Sequence, residues 1–563
     1  MFAVRNARCD RSPAALSDSA HPMLPSCCCH LSMFAIVILC LCSRSLSQAQ
    51  ADRRVEEQLE KVEAETAGGP FTAAWDSLRA YRVPEWFRDA KFGIFIHWGV
   101  YSVPAFDNEW YSRNMYVQGS KVFKHHVETY GPQSKFGYKD FIPEFRAEHF
   151  DADAWVDLFL RAGARYIVPV AEHCDGFPMY DSGITDWNAA RMGPKRDVVG
   201  ELAAATRKRG LHFGASSHRA EHWWWYDGGM KFDSDVRYQR FVGLYGPSMP
   251  TTLPGEDDVV EPDPNHLERW LPPDKTFLDD WLARSTEIID KYHPDFLYFD
   301  WWIGQPAFQP YLQRFAAFYY NLAARRKQDV VLTYKDRDFP ENVAVLDVER
   351  GKMDTLRLQP WQTDTSVSIH SWGYVKNDEY RDAKSLIDEL VDVVSKNGNL
   401  LLNVGPKSDG TIPEQAQRIL LQMGAWLKIN GEAIYRTRPW LVYGEGPTKV
   451  TSSDLNTDRQ QFTANDIRFT TNGDVLYAIA LGWPAGRTLR VHSLSLNTPY
   501  LRGAVCSVEL LGFNAPLKWA QKKDGLSIDL PAEELDEPAF TFRILESTGG
   551  RCRGSDAEKI QRP

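Results

Sequence analysis

Asp300 closes the apolar run Asp295-Phe296-Leu297-Tyr298-Phe299-Asp300 and is followed at once by Trp301 and Trp302, with Gly304 close behind. A carboxylate at the end of a buried strand, walled by indoles, loses solvation unless a site makes use of it. The chemistry open to it is nucleophilic attack, with a second carboxyl group handling the proton. A plainer role is that of a strand-end Asp that caps the next loop, and this residue alone does not decide between the two. Several other strand-like runs also end in His or Glu.

Between about residues 90 and 435, short β-branched or aromatic runs alternate with amphipathic stretches, which argues for parallel β/α architecture. The strand candidates are Phe92–Trp98, Tyr166–Glu172, Leu211–Ser217, Asp295–Asp300, Val330–Tyr334, Ala344–Val348 and Asn399–Val404, with an eighth near Ser366–Trp372. Helical spacing of apolar residues covers Asp151–Ala164, Val198–Arg209, Phe277–Tyr292, Ala307–Arg326, Asp382–Ser395 and Glu414–Ile429. Gly163, Gly210 and Gly398 stand near the ends of three of these helices. The pattern predicts an α/β fold, a (β/α)8-like, TIM-type barrel. Gly246–Asp274, rich in Pro, Asp and Glu, breaks the alternation and reads as a long loop over the barrel mouth. After about residue 440 the runs Asp466–Thr470, Val475–Leu481, Arg487–His492, Cys506–Leu511 and Ala539–Leu545 are short and separated by turns such as Thr471-Asn472-Gly473-Asp474, which predicts a C-terminal antiparallel β-sandwich.

The 563 residues are 43% hydrophobic and 13% aromatic, enough for a large globular body of two domains. Many of the 19 Trp stand beside polar residues, among them Trp98, Trp110, Trp223 to Trp225, Trp301, Trp302, Trp361 and Trp372. Indoles so placed suit the C–H faces of sugar rings, although each one alone is as readily a core residue. The formal charge of −10 disfavours a nucleic-acid or anionic-membrane partner. The apolar stretch Leu31–Leu41, followed by small and polar residues up to Ala49 and Ala51, resembles the core and cleavage zone of an export signal. It is too short for a stable membrane span, so a periplasmic or secreted protein is expected. The expected division is residues 1–51 as signal, 52–438 as barrel, 439–548 as sandwich and 549–563 as a loose tail. Without the first segment only Cys174, Cys506 and Cys552 remain, which is no disulfide scaffold, and no Asn-x-Ser/Thr acceptor follows it.

The run from Trp86 to Pro104, with His97-Trp98-Gly99 at its centre, and Asn108-Glu109-Trp110-Tyr111 after it, resembles the opening of the α-L-fucosidases of glycoside hydrolase family 29. The resemblance continues through Glu172-His173-Cys174-Asp175-Gly176-Phe177, Thr185-Asp186-Trp187-Asn188, Lys195-Arg196-Asp197-Val198-Val199 and the Asp300 strand. It closes with Ser371-Trp372-Gly373-Tyr374, Asn399 to Pro406 and Asn430-Gly431-Glu432-Ala433-Ile434-Tyr435. One such motif is weak; this many in one order is strong.

The resemblance implies a retaining, exo-acting glycosidase that releases L-fucose from fucosylated oligosaccharides or glycoconjugates, with Asp300 at the nucleophile position. The family's acid/base lies in a variable loop, and Glu349 is the residue chosen for it. It ends Ala344-Val345-Leu346-Asp347-Val348-Glu349, at a strand-to-loop junction. Some relatives have a Pro-Trp-Glu-Thr motif, which here reads Pro360-Trp361-Gln362-Thr363-Asp364, and Gln cannot cycle a proton. Asp364 is the runner-up, and Arg350 offers Glu349 a purely structural ion pair. His97, Glu109, Trp110 and His173 match fucose-contacting positions, and Trp372 and Tyr298 match aromatic positions of the same pocket.

Two departures stand out. Cys174 replaces a second His, and a small residue replaces a Tyr in Ala215-Ser216-Ser217-His218, where His218 could compensate. A metallohydrolase built on His97, His173, His218 and His222 finds no tight ligand spacing, and a two-carboxylate mechanism needs no metal or other cofactor. The same residues also admit an α-L-galactosidase, whose substrate differs only at C6, or a non-catalytic carbohydrate-binding protein on the same fold.

Overall fold

Eight parallel strands close into a barrel in strict chain order: β1 (Phe92–Ile96), β2 (Tyr166–Glu172), β3 (His212–Ser217), β4 (Phe296–Phe299), β5 (Val331–Lys335), β6 (Val345–Glu349), β7 (Trp361–Ser366) and β8 (Gly398–Val404). β1 pairs with both β2 and β8, so Gly93 lies between Tyr166 and Leu401 and no sheet edge is left. These assignments come from a computed structural model that describes residues 50–255, 269–452, 461–533, 535 and 537–547. The chain divides into two compact units, Met1–Arg53 and Arg54–Pro563; residues 50–53 of the first are described and are helical. The Leu31–Leu41 segment, the tail beyond Ser547 and the middle of the Gly246–Asp274 loop lie outside the described residues. No described helix is long and apolar enough to cross a membrane.

Seven strands fall where the apolar runs predict them, and the eighth does not. β7 is Trp361–Ser366, N-terminal to the expected Ser366–Trp372, and the segment after it forms a loop. Its sequence, Trp-Gln-Thr-Asp-Thr-Ser, has no apolar run, yet every residue is buried. The barrel interior satisfies those polar groups. Tyr166 donates its hydroxyl to Gln362 Oε1 at 2.9 Å, Gln362 Nε2 donates to Asp347 at 2.6 Å, and the Lys335 ammonium reaches Asp364 at 2.9 Å.

The outer helices follow the predicted periodicity: Ala152–Arg161, Val198–Lys208, Lys275–Tyr292, Gln309–Arg326, Ala383–Ser395 and Glu414–Asn430. Four of them begin on an aspartate whose carboxylate accepts from a backbone N–H of the first turn: Asp151, Asp197, Asp274 and Asp382. Gly163 and Gly210 end two helices with positive φ, 97° and 68°. Gly398 does not: Asn397 takes the left-handed position (φ 73°) and Gly398 opens β8. A Cβ at Gly398 would lie 2.6 Å from Val393 and 2.7 Å from Trp361, so close packing requires the glycine there.

Beyond the barrel, a five-stranded and a three-stranded antiparallel sheet enclose a separate apolar core that includes Phe469, Leu489, Leu526 and Phe542. β10 (Ile467–Asn472) and β11 (Val475–Ala480) form the predicted hairpin, with Gly473 at φ 59° in its two-residue turn. β12 (Thr488–Val491), β13 (Val505–Leu510) and β16 (Phe540–Glu546) match predicted runs. β9 (Arg438–Glu445), β14 (Lys518–Lys522) and β15 (Gly525–Asp529) do not. β14 is charged and half-exposed, and β9 carries Pro439, so neither has the composition of a buried strand.

Arg468 of β10 reaches back to the helix Ala383–Ser395, where its guanidinium meets Asp392 at 2.6 Å. Asp392 also holds Lys396 at 2.7 Å, and all three side chains are buried.

Candidate active site

Strand C-terminal ends converge at one mouth of the barrel. Asp300 follows β4, and its backbone N–H donates to Ser217 O at the end of β3. His218, the next residue of that strand end, sets its Nδ1 2.6 Å from Asp300 Oδ2. Its Nε2 lies 2.9 Å from Ser216 Oγ. Burial opposes ionisation of Asp300, but the facing His218 and the Lys335 charge outweigh it and hold the carboxyl well below the usual carboxylate range. Tyr298 is buried beneath, its hydroxyl donating to Asp364 at 3.0 Å and lying 3.5 Å from Asp300 Oδ1. The turn after Asp300 is strained: Trp302 has φ 82° and is held by Trp270 and Trp224 (ring centroids 4.2 and 5.3 Å away).

Glu349 ends β6 and faces the same mouth. Trp301, the residue after Asp300, donates its indole N–H to Glu349 Oε2 at 2.5 Å. Burial pushes the Glu349 carboxyl up to about 7, assisted by the negative charges of Asp364 and Asp300 and opposed by Lys335 and the Trp301 bond. The cation beside Glu349 is Lys335 at 3.7 Å, not Arg350. Arg350 donates to Ile369 O and lies over the Trp372 ring at 4.6 Å. Lys335 is fully buried between Asp347 (2.6 Å) and Asp364 (2.9 Å), and those carboxylates raise its own pKa well above normal against the cost of burial. Asp364 is thus tied to Lys335 and Tyr298 inside the barrel, away from the open mouth.

The remaining wall comes from β1, β2 and the loops after β1 and β7. His97 follows β1; its backbone N–H and its Nδ1 both meet Asn403 Oδ1 of β8, at 3.0 and 2.8 Å. Asn403 Nδ2 donates in turn to Trp372 O and Ser366 Oγ, which fixes the amide orientation. Glu109 Oε2 accepts from Trp372 N–H at 2.9 Å and from Ser371 Oγ at 3.1 Å, tying the two loops together. Trp110 packs on Trp225 (4.7 Å), and Trp372 lies beside His97 (5.2 Å). Trp110, Trp301 and Trp372 stay half-exposed, whereas Trp224, Trp225 and Trp361 are wholly core. His173 follows β2 and stacks on His218 (5.0 Å), its Nδ1 buried without a partner. Burial keeps His97 and His173 well below the ordinary imidazole pKa and therefore neutral.

All eight residues singled out in the sequence (His97, Glu109, Trp110, His173, Tyr298, Asp300, Glu349 and Trp372) stand in or directly under this mouth. The geometry adds Lys335 and Asn403, and it sets His218, named in the sequence only as a compensating residue, directly against Asp300. It also adds Glu221, a buried carboxyl accepting a hydrogen bond from Cys174 Sγ at 3.1 Å, so the thiol that replaces a family His has its own partner. His218 carried a signal, a strand-end His like the other two. Lys335 carried none, because a lysine closing an apolar run reads as a surface residue. Sequence spacing also hid that His97, His173 and His218 converge: one ring nitrogen of each lies within 4.8 Å of the others.

A closed β/α barrel whose mouth holds one ionised and one proton-retaining carboxyl group among indoles and imidazoles has the equipment of a glycoside hydrolase. Comparison with known proteins narrows this. A family model described as Alpha-L-fucosidase matches residues 58–432, and one described as Alpha-L-fucosidase C-terminal domain matches residues 459–545. The chain belongs to the α-L-fucosidase family, glycoside hydrolase family 29. It is 32% identical over 475 residues to the tissue α-L-fucosidase of Rattus norvegicus (82% of this chain, 88% of the rat one). It is likewise 32% identical over 476 residues to that of Homo sapiens (82% and 88%). The crystal structure of Thermotoga maritima α-fucosidase in complex with fucose superposes with a TM-score of 0.64 at 31% identity, over 84% of this chain and 100% of that one.

Proposed function

We propose that this α-L-fucosidase works by double displacement and releases terminal L-fucose from fucosylated glycans with retained configuration. Asp300 attacks the anomeric carbon as the C1–O bond breaks, and Glu349 gives its proton to the departing oxygen. In the second half, Glu349 takes a proton from water, which attacks C1, breaks the ester to Asp300 and frees L-fucose. The observation that carries this reading is the opposite titration of the two groups: Asp300 held ionised, Glu349 held protonated up to about 7. His97, Glu109 and His173 supply polar contacts to sugar hydroxyls, Trp110 and Trp372 pack the ring, and Tyr298 supports Asp300 from below.

The test is turnover of an aryl α-L-fucoside by wild type and Asp300→Gly, with and without azide. The variant is expected to lose nearly all activity, and azide is expected to restore it by attacking the face that Asp300 vacates, giving the β-L-fucosyl azide. Glu349→Ala is expected to lose ~10²–10⁴-fold on poor leaving groups and to give the α-azide. A first-formed product of inverted configuration, read by NMR on wild type, would rule the mechanism out.

Export is also proposed. Support comes from the Leu31–Leu41 segment and the small and polar residues that follow it up to Ala51. N-terminal sequencing of the protein recovered outside the cytoplasm tests this; an intact residue 1 on purely cytoplasmic protein would refute it.

A further inference from the structure

We propose that His97, His173 and His218 form a binding site for a divalent transition metal of the zinc or copper type, and that the bound ion blocks the pocket. The three imidazoles come from the ends of β1, β2 and β3, are 2–5% exposed, and bring one nitrogen each within 4.8 Å of the others. A tetrahedral ion with bonds of 2.0–2.1 Å needs nitrogens about 3.4 Å apart, so binding draws the three rings inward by up to about 1.4 Å.

The surroundings resemble the outer shell of a histidine metal site, where each ligand donates its other N–H to a fixed acceptor. His97 Nδ1 faces Asn403 Oδ1, which can only accept, so that nitrogen carries the proton and Nε2 keeps its lone pair. His218 Nδ1 faces the Asp300 carboxylate, leaving Nε2 opposite the Ser216 hydroxyl, which can rotate away. His173 Nδ1 is buried and unpartnered, an unsatisfied polar atom that metal binding relieves directly or by turning the ring. Asp300 supplies the countercharge. The opposing cations, Lys335 and Arg350, are engaged by Asp347 and Asp364 and by the Trp372 ring. The three ligands lie far apart in the chain, which is why no local signature announces the site.

Metal binding does not depend on the fucosidase reading; the blocking effect does. The test uses chelator-treated full-chain protein titrated with Co²⁺, followed by its visible d–d bands, and with Zn²⁺ by calorimetry. One ion per chain is expected, bound at least ~10-fold more weakly by His173→Gln and His218→Gln and unchanged by His149→Gln on the surface. Ser216→Ala, which frees His218 Nε2 without touching a backbone bond, is expected to tighten binding. L-fucose should weaken the apparent metal affinity, and chelator should restore activity lost to the ion. Absence of the Co²⁺ bands, or affinity indifferent to both His variants in folded protein, overturns the site. Binding that L-fucose leaves unchanged overturns the blocking role.

Discussion

Asp300 and Glu349 share one cavity and one nearby cation, and they titrate apart because their hydrogen bonds differ in kind. Asp300 meets the His218 ring nitrogen at 2.6 Å, whereas Glu349 has an indole N–H and a lysine already committed to two other carboxylates. The productive state, Asp300 ionised and Glu349 protonated, therefore spans the acid range and ends near 7. kcat/KM for an aryl α-L-fucoside should be level below that point and fall about tenfold per pH unit above it. The Trp301 bond favours ionised Glu349, so Trp301→Phe should shift the alkaline limb to higher pH. A role confined to packing would lower the rate and leave the limb in place, which distinguishes the two in one pH profile.

β5, β6 and β7 carry a polar lattice through the barrel wall, in register: Lys335 beside Asp347, Asp347 beside Gln362, Glu349 beside Asp364. Lys335→Met removes the only cation that touches Asp347 and Asp364 among the described residues. It should cost about 3–5 kcal/mol, read by urea unfolding, and should also raise the Glu349 alkaline limb. This lattice marks where sequence reading stopped. β1 to β6 and β8 are apolar runs, and the helices declare themselves by period. β7 hides because its polar residues are satisfied only by strands that fold beside it. The same holds for the site. Asp300, His97 and His173 are legible as polar residues ending apolar runs, and Glu349 as a strand-end carboxyl. Lys335 and the convergence of three histidines exist only across strands.

Arg468, Asp392 and Lys396 fasten the β-sandwich to the barrel through buried charge. Burial resists ionisation of Asp392, but Arg468 and Lys396 depress its pKa, so its contribution is complete above the ordinary aspartate value of about 3.9 and fades as pH falls below it. Arg468→Met should destabilise the protein by about 3 kcal/mol at neutral pH, and calorimetry should show the gap to wild type closing in acid. Equal gaps at both pH values would place the loss in packing alone. Trp301 is joined to Asp300 by a peptide bond and to Glu349 by its indole, so a single residue bridges the two carboxyl-bearing strand ends of β4 and β6. Their spacing is tied to that bridge, and the loops around the mouth can vary in length and sequence to suit different glycans without retuning the gap across which the sugar is transferred.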